Sequence, residues 1–141
     1  TPSSSSAASD VYKRQVLGIC RGLQVMNVYL EGTLWPDISQ GGYDGAMHRE
    51  GDGGEPPKGD IPHWTKMEDK EFEVISHHHQ GVRELGQDLH VLSKSSDGMI
   101  EAVKHKSLPW FAVQWHPERT PEGLGRALPR EWLRKELQNV Q

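Results

Sequence analysis

Apolar and polar positions alternate in two different ways along the chain. The run Val16–Ile19 (VLGI) is followed beyond Gly22 by Leu23, Met26 and Leu30, three and four residues apart. A short apolar run fits a buried strand. The later spacing fits a helix with one face on a sheet. Val16–Leu30 is therefore predicted as strand, tight turn and helix, with Gly32 as its stop. Farther on the period shortens to two. Glu71–Ile75, Leu89–Ser93, Met99–Lys104 and Trp110–Trp115 are strand candidates, and Ser96-Asp97-Gly98 is a turn signal that makes the middle two a hairpin. Trp132, Leu133 and Leu137 are expected on one face of a last helix, packed on the sheet or used as a dimer contact. Trp35, Trp64 and Trp110 are expected to pack rather than to stack on a ligand. Between these regions, Asp37–Pro62 holds seven Gly and three Pro and is predicted as a long surface loop with some lid character.

The first fifteen residues show neither period. Ser5–Gln15, SSAASDVYKRQ, resembles the translation of a sequencing adapter. Residues 1–15 are therefore expected to be a non-native or disordered leader. Residues 16–141 are expected to be the C-terminal portion of one domain, its N-terminal portion lying upstream of Val16.

Composition narrows the function. The net charge is −4, with 16 Lys and Arg against 20 Asp and Glu. Binding nucleic acid by bulk charge needs a basic surface, so no nucleic-acid partner is expected. No apolar run reaches the roughly 18 residues of a membrane span, so no membrane partner is expected either. Cys20 is the only cysteine, which excludes an intramolecular disulfide and favours a cytoplasmic setting.

Two constellations carry chemistry. Gly18-Ile19-Cys20-Arg21-Gly22 has the form G-x-C-x-G between strand and helix, the nucleophile-elbow pattern with Cys in place of Ser. The glycines allow close backbone approach. The helix N-terminus favours thiolate, and the Arg21 N–H points where an oxyanion forms. The second constellation is Gln114-Trp115-His116-Pro117-Glu118. His116 and Glu118 are two apart at a strand end and can project to one side, as a thiol-activating histidine and its orienting carboxylate must. His77-His78-His79, with His48 and His63, raises the question of a metal. Consecutive strand residues face opposite sides and the spacing matches no closed zinc pattern, so neither metal nor cofactor is expected.

The segments VLGICRGLQVMNVYLEGTL, SHHHQ, SSDGMIEAV and FAVQWHPE, in that order, resemble the class I glutamine amidotransferase superfamily, in its gamma-glutamyl hydrolase and gamma-glutamyl-gamma-aminobutyrate hydrolase branch, the peptidase C26-like one. The resemblance spans nearly all of Val16–Glu118. It implies an α/β fold, a flavodoxin-like three-layer sandwich of parallel sheet with an antiparallel hairpin. It implies Cys20 as nucleophile, His116 as base and acid, Glu118 as orienting carboxylate, and Gln24, Ser76, His78 and His79 as substrate-facing residues. The implied activity is hydrolysis of a small-molecule gamma-glutamyl amide through a thioester. The alternative is a glutaminase subunit or domain of an ammonia-channelling amidotransferase. The branch has N-S-x-H-H-Q where this chain has Ile75-Ser76-His77-His78-His79-Gln80, which puts in question any hydrogen bond made by the first side chain. In this family the upstream portion supplies a second oxyanion donor, so the chain as written is expected to be a weak catalyst.

Overall fold

The computed structural model describes residues 14–43, 48 and 61–138, the side chain of Ile61 excepted. Of the leader expected at residues 1–15, residues 1–13 lie outside the described residues, as does most of the Gly-rich loop. The elements run β1 (Val16–Ile19), α1 (Arg21–Tyr29), β2 (Leu34–Trp35), a 3₁₀ turn (Ile38–Gly41), β3 (Ile61–Met67), β4 (Lys70–Ser76), β5 (Gly81–Val82), β6 (Leu89–Ser95), β7 (Ile100–His105), β8 (Trp110–Val113) and α2 (Leu124–Gln138).

Six strands form one sheet in the order β1-β8-β7-β6-β3-β4, and β2 pairs with β5 in a separate ribbon. The β1–β8 pair is parallel, with Ile19 opposite Val113. The pairs β7–β8, β6–β7, β3–β6 and β3–β4 are antiparallel. The predicted hairpin is β6–β7. In the described sheet the parallel component is thus confined to the strand that leads into Cys20 and its neighbour.

The sheet is covered on both faces. Trp110 and Ala112 of β8 and Val103 of β7 pack with Leu23 and Met26 of α1. Phe111 and Val113 of β8 and Ala102 of β7 pack on the other side, against Leu17, Ile19 and the α2 residues Leu124, Leu128 and Trp132. This explains why β8 reads as a continuous apolar run, since a strand buried on both faces loses its polar alternation.

Helix α2 differs from its predicted face. It packs through Leu124, Leu128 and Trp132, four apart, whereas Leu133 and Leu137 are exposed. Trp132 stacks on Phe111 with ring centroids 5.5 Å apart. The end of α1 also differs in detail. Glu31, not Gly32, takes the left-handed conformation, at φ 70°. Gly32 is required for space instead, because a Cβ there would lie 2.5 Å from Asn27 Nδ2 and 2.6 Å from Glu84 O.

The sequence reading missed β3, and the reason is physical. Its alternation is present but inverted: His63 and Thr65 are buried, while Trp64 and Lys66 are exposed. Trp64 is therefore not the packing residue expected. Its strand turns polar side chains inward, towards a buried histidine cluster.

Candidate active site

The parallel pair sets the site. Cys20 follows β1 and Gln114 follows β8, so both stand at the C-terminal ends of adjacent parallel strands, where open α/β sheets place their ligands. The chain turns sharply at Cys20, with φ 54° and ψ −102°. The Cys20 N–H donates to Val113 O at 2.8 Å, and Cys20 O accepts from Leu23 N at 3.1 Å. Gly18 makes room for this turn: a Cβ there would lie 2.9 Å from the Gly22 carbonyl carbon and 3.0 Å from Ala112 Cβ. At Gly22 a Cβ would meet nothing, so of the two glycines Gly18 is the one that close approach requires.

Cys20 Sγ lies 3.8 Å from His77 O and 3.6 Å from Gln114 Nε2. Burial pushes the thiol above its ordinary value, and the Arg21 N–H and the Gln114 amide pull it only partly back. The expected preference for thiolate at the helix N-terminus is thus outweighed in this state by desolvation. A cleft of about 340 Å³ opens beside the sulfur, lined by Cys20, Arg21, Gln24 and His77–Gln80.

Gln24 is buried and its amide is already engaged. Nε2 donates to Gln80 O at 3.0 Å and to Gln114 Oε1 at 3.3 Å. Gln24 therefore ties the cleft wall to the residue that touches the thiol. His79 is exposed, while His78 is buried with Nδ1 2.7 Å from Gln80 O. Ser76 does not line the cleft; it is fully buried and bonds His63.

His116 and Glu118 pair as the sequence suggests, Nδ1 to Oε1 at 2.7 Å. The His116 N–H donates to Ile75 O at 2.9 Å, and the Thr120 hydroxyl donates to His116 O at 2.8 Å while accepting from Ile75 N at 3.2 Å. The backbone of Ile75 makes these connections, so they do not depend on which side chain stands at position 75. Among the described residues Cys20 and His116 form no hydrogen bond. Thiol–imidazole contacts are often open before substrate binds.

A second cluster lies behind the wall formed by His77–Gln80. His48, His63, His78 and Glu101 are all buried. His48 Nε2 lies 2.8 Å from Asp97 Oδ2, and its backbone O accepts from His78 N at 3.1 Å. Burial, then the charge of His48, lowers His63 to about 4 and His78 to about 3, so both are neutral at pH 7. Glu101 is raised well above its ordinary value by burial and by the charge of Asp97. Burial also pushes Asp97 upward, but bonds from His48 and Ser95 hold it well below the carboxylate range. Sequence reasoning missed Gln114, Asp97 and Glu101. Gln114 was findable as the residue after a strand parallel to the one before Cys20. The other two are brought to the histidines only by the β6–β7 hairpin.

Known proteins resemble the chain in sequence and in fold. The sequence model of the Peptidase C26 family matches residues 8–118, beginning inside the stretch expected to be a leader. The chain belongs to the Peptidase C26 family. It is 37% identical over 118 residues to the glutamine amidotransferase-like protein YvdE of Lactococcus lactis, covering 77% of this chain and 48% of that one. It is 28% identical to the gamma-glutamyl-CDP-amidate hydrolase of Campylobacter jejuni, covering 94% and 62%. It is 35% identical to a glutamine-hydrolysing GMP synthase subunit of Methanothrix thermoacetophila, covering 73% and 52%. Among solved structures, a glutamine amidotransferase of Thermotoga maritima superposes with a TM-score of 0.52 at 14% identity, over 88% of this chain and 48% of that one. The fold is the three-layer α/β fold of class I glutamine amidotransferases. The chain spans about half the length of the curated relatives it matches.

Proposed function

We propose that the chain carries the nucleophile of a cysteine amide hydrolase that cleaves gamma-glutamyl amides, as part of a longer protein. One observation carries this reading: Cys20 sits on a left-handed elbow between β1 and α1 and faces a cleft walled by Gln24 and His77–Gln80. Two relatives support the chemistry, one named as a gamma-glutamyl-CDP-amidate hydrolase and one as a glutamine-hydrolysing synthase subunit.

In the proposed reaction the Cys20 proton passes to His116, and Sγ attacks the gamma-carbonyl carbon. The negative oxygen that forms accepts from the Arg21 N–H. His116 gives its proton to the amine nitrogen as the C–N bond breaks, leaving a gamma-glutamyl thioester on Cys20. Water then gives a proton to His116 and attacks the thioester, releasing the gamma-carboxylate and regenerating the thiol. Glu118 stabilises the charged imidazole through its 2.7 Å contact. A nucleophile of this kind needs a reduced thiol, which suits a cytoplasmic setting. No helix among the described residues is long and apolar enough to cross a membrane.

The experiment is an assay of the intact gene product on gamma-glutamyl amines and on glutamine, with Cys20→Ala as control. Release of free amine from gamma-glutamyl amines, abolished in Cys20→Ala, is expected. Turnover that survives in Cys20→Ala would refute the assignment. The relation to the synthase subunit favours a second reading, a glutaminase that supplies ammonia. Glutamine hydrolysis that rises on addition of a co-purifying synthetase, without cleavage of other gamma-glutamyl amines, would select it.

A further inference from the structure

We propose that His48, His63 and Glu101 form a buried binding site for a divalent transition metal of the zinc type. One ligand atom from each lies within 4.8 Å of the others. His48 Nδ1 is 3.4 Å and His63 Nε2 is 3.6 Å from the same carboxylate oxygen, Glu101 Oε1. These separations are too long for hydrogen bonds. They are close to the edge of a tetrahedron around zinc, where bonds of about 2.0–2.1 Å set ligands about 3.3–3.4 Å apart.

The surroundings fit the same reading. His48 Nε2 bonds Asp97 while its Nδ1 faces Glu101 Oε1, so an N–H held on Nε2 by Asp97 would leave Nδ1 free to bind an ion. A carboxylate behind a histidine is the usual support of a metal ligand. His78 resembles His48: its Nδ1 donates to Gln80 O, and its buried Nε2 has no hydrogen-bond partner among the described residues. Its ring centroid lies 4.8 Å from that of His48, beside the three-residue cluster but not part of it. Among the described residues, neither oxygen of Glu101 nor His48 Nδ1 has a partner at hydrogen-bond geometry. Unpartnered polar atoms in the interior are costly, and a cation between Glu101 and the two imidazoles would remove the cost. The Ser76 hydroxyl also bonds His63 Nε2, a contact that an ion bound at that nitrogen would replace. With all three ligands buried, loading accompanies folding. The set combines two histidines and a carboxylate, which suits zinc better than calcium or magnesium.

The test does not read activity, so its outcome is separate from that of the Cys20 assignment. The intact gene product is purified without chelator and its metal content measured. It is also refolded with Zn²⁺ alone and with Co²⁺ alone. About one equivalent of zinc and the visible bands of tetrahedral cobalt are expected. Glu101→Gln is expected to lower the content at least about tenfold, while His90→Ala, an exposed histidine away from the cluster, keeps it. Should Glu101→Gln fail to fold, Asp97→Asn decides: affinity about 10–100-fold weaker is expected, since it supports His48 without binding the ion. A folded wild-type protein that takes up less than about a tenth of an equivalent and shows no cobalt bands overturns the proposal. Undiminished affinity in both folded variants overturns it as well.

Discussion

Cys20 occupies backbone space that costs a non-glycine residue about 1–3 kcal/mol. The turn persists because its surroundings leave no alternative: Val113 O holds the N–H, and Gly18 lets α1 come down on β1. Gly18→Ala places a methyl group 2.9 Å from backbone and is expected to destabilise by about 1–3 kcal/mol. Gly22→Ala meets nothing and gains helix propensity, so it is expected to be neutral or to stabilise by up to about 1 kcal/mol. The urea midpoint should fall in Gly18→Ala and hold or rise in Gly22→Ala, and equal losses would contradict the packing at the elbow. The thiol gives a second prediction. Its folded-state value is raised above 9.0, mainly by burial. Below pH 9 both folded and unfolded thiols are protonated and stability is unaffected. Above it the unfolded thiol ionises first, so stability falls with rising pH. Alkylation of Cys20 in the substrate-free protein is accordingly expected to be slow at pH 7 and to climb through a midpoint above 9. A midpoint near 7 would show that an imidazole already holds the thiolate.

At the scale of elements, α2 is anchored by a helix defect. Pro129 has no N–H to give to Gly125 O, four residues back. The buried Trp115 indole takes that carbonyl at 2.7 Å. The proline thus opens an acceptor, and the residue between Gln114 and His116 fills it, fixing the strand end that carries the candidate base. Trp115→Phe is expected to cost roughly 2–4 kcal/mol, from the stranded carbonyl and the smaller ring. Pro129→Ala in that background restores a helical donor, so the pair should be non-additive by about 1 kcal/mol in denaturant unfolding. Strict additivity would mean that the two groups do not share the carbonyl. Such links set the limits of sequence reading. The elbow, the β6–β7 hairpin and the His116–Glu118 pair were legible because each is local: a motif, a turn, a spacing of two. Strand β3 was not, because its buried positions are His63 and Thr65, and hydrophobic periodicity is blind to a polar interior. The face of α2 was misread because Leu133 and Leu137 are as apolar as Leu124 and Leu128. Only contact with Phe111 and Val113 decides which of them turn inward.

For the whole molecule, the matter is what covers the side of β1 and α1 that faces away from the described sheet. β1 is the end strand in the order β1-β8-β7-β6-β3-β4. Beside it α1 exposes Val25 at 61%, Val28 at 51% and Tyr29 at 58%. An apolar helix face next to a parallel edge that is unpaired among the described residues is what a doubly covered sheet buries under further strands and helices. The matched relatives are about twice as long as the aligned stretch. The proposed site has the same one-sidedness: among the described residues the proposal gives it one backbone donor, the Arg21 N–H, and acyl-transfer sites use more than one. Loss of one donor costs about 10²–10³ in rate. The 141-residue chain alone is therefore expected to turn over gamma-glutamyl substrate at least about 100-fold more slowly than the intact gene product. Val28→Lys separates coverage from simple exposure. In the isolated chain it changes an exposed position and should shift stability by no more than about 0.5 kcal/mol. In the intact gene product it would bury an unpaired ammonium and should cost several times more. Equal, small effects in both would leave α1 a solvent face, and the slow turnover would then need a cause other than an absent covering layer.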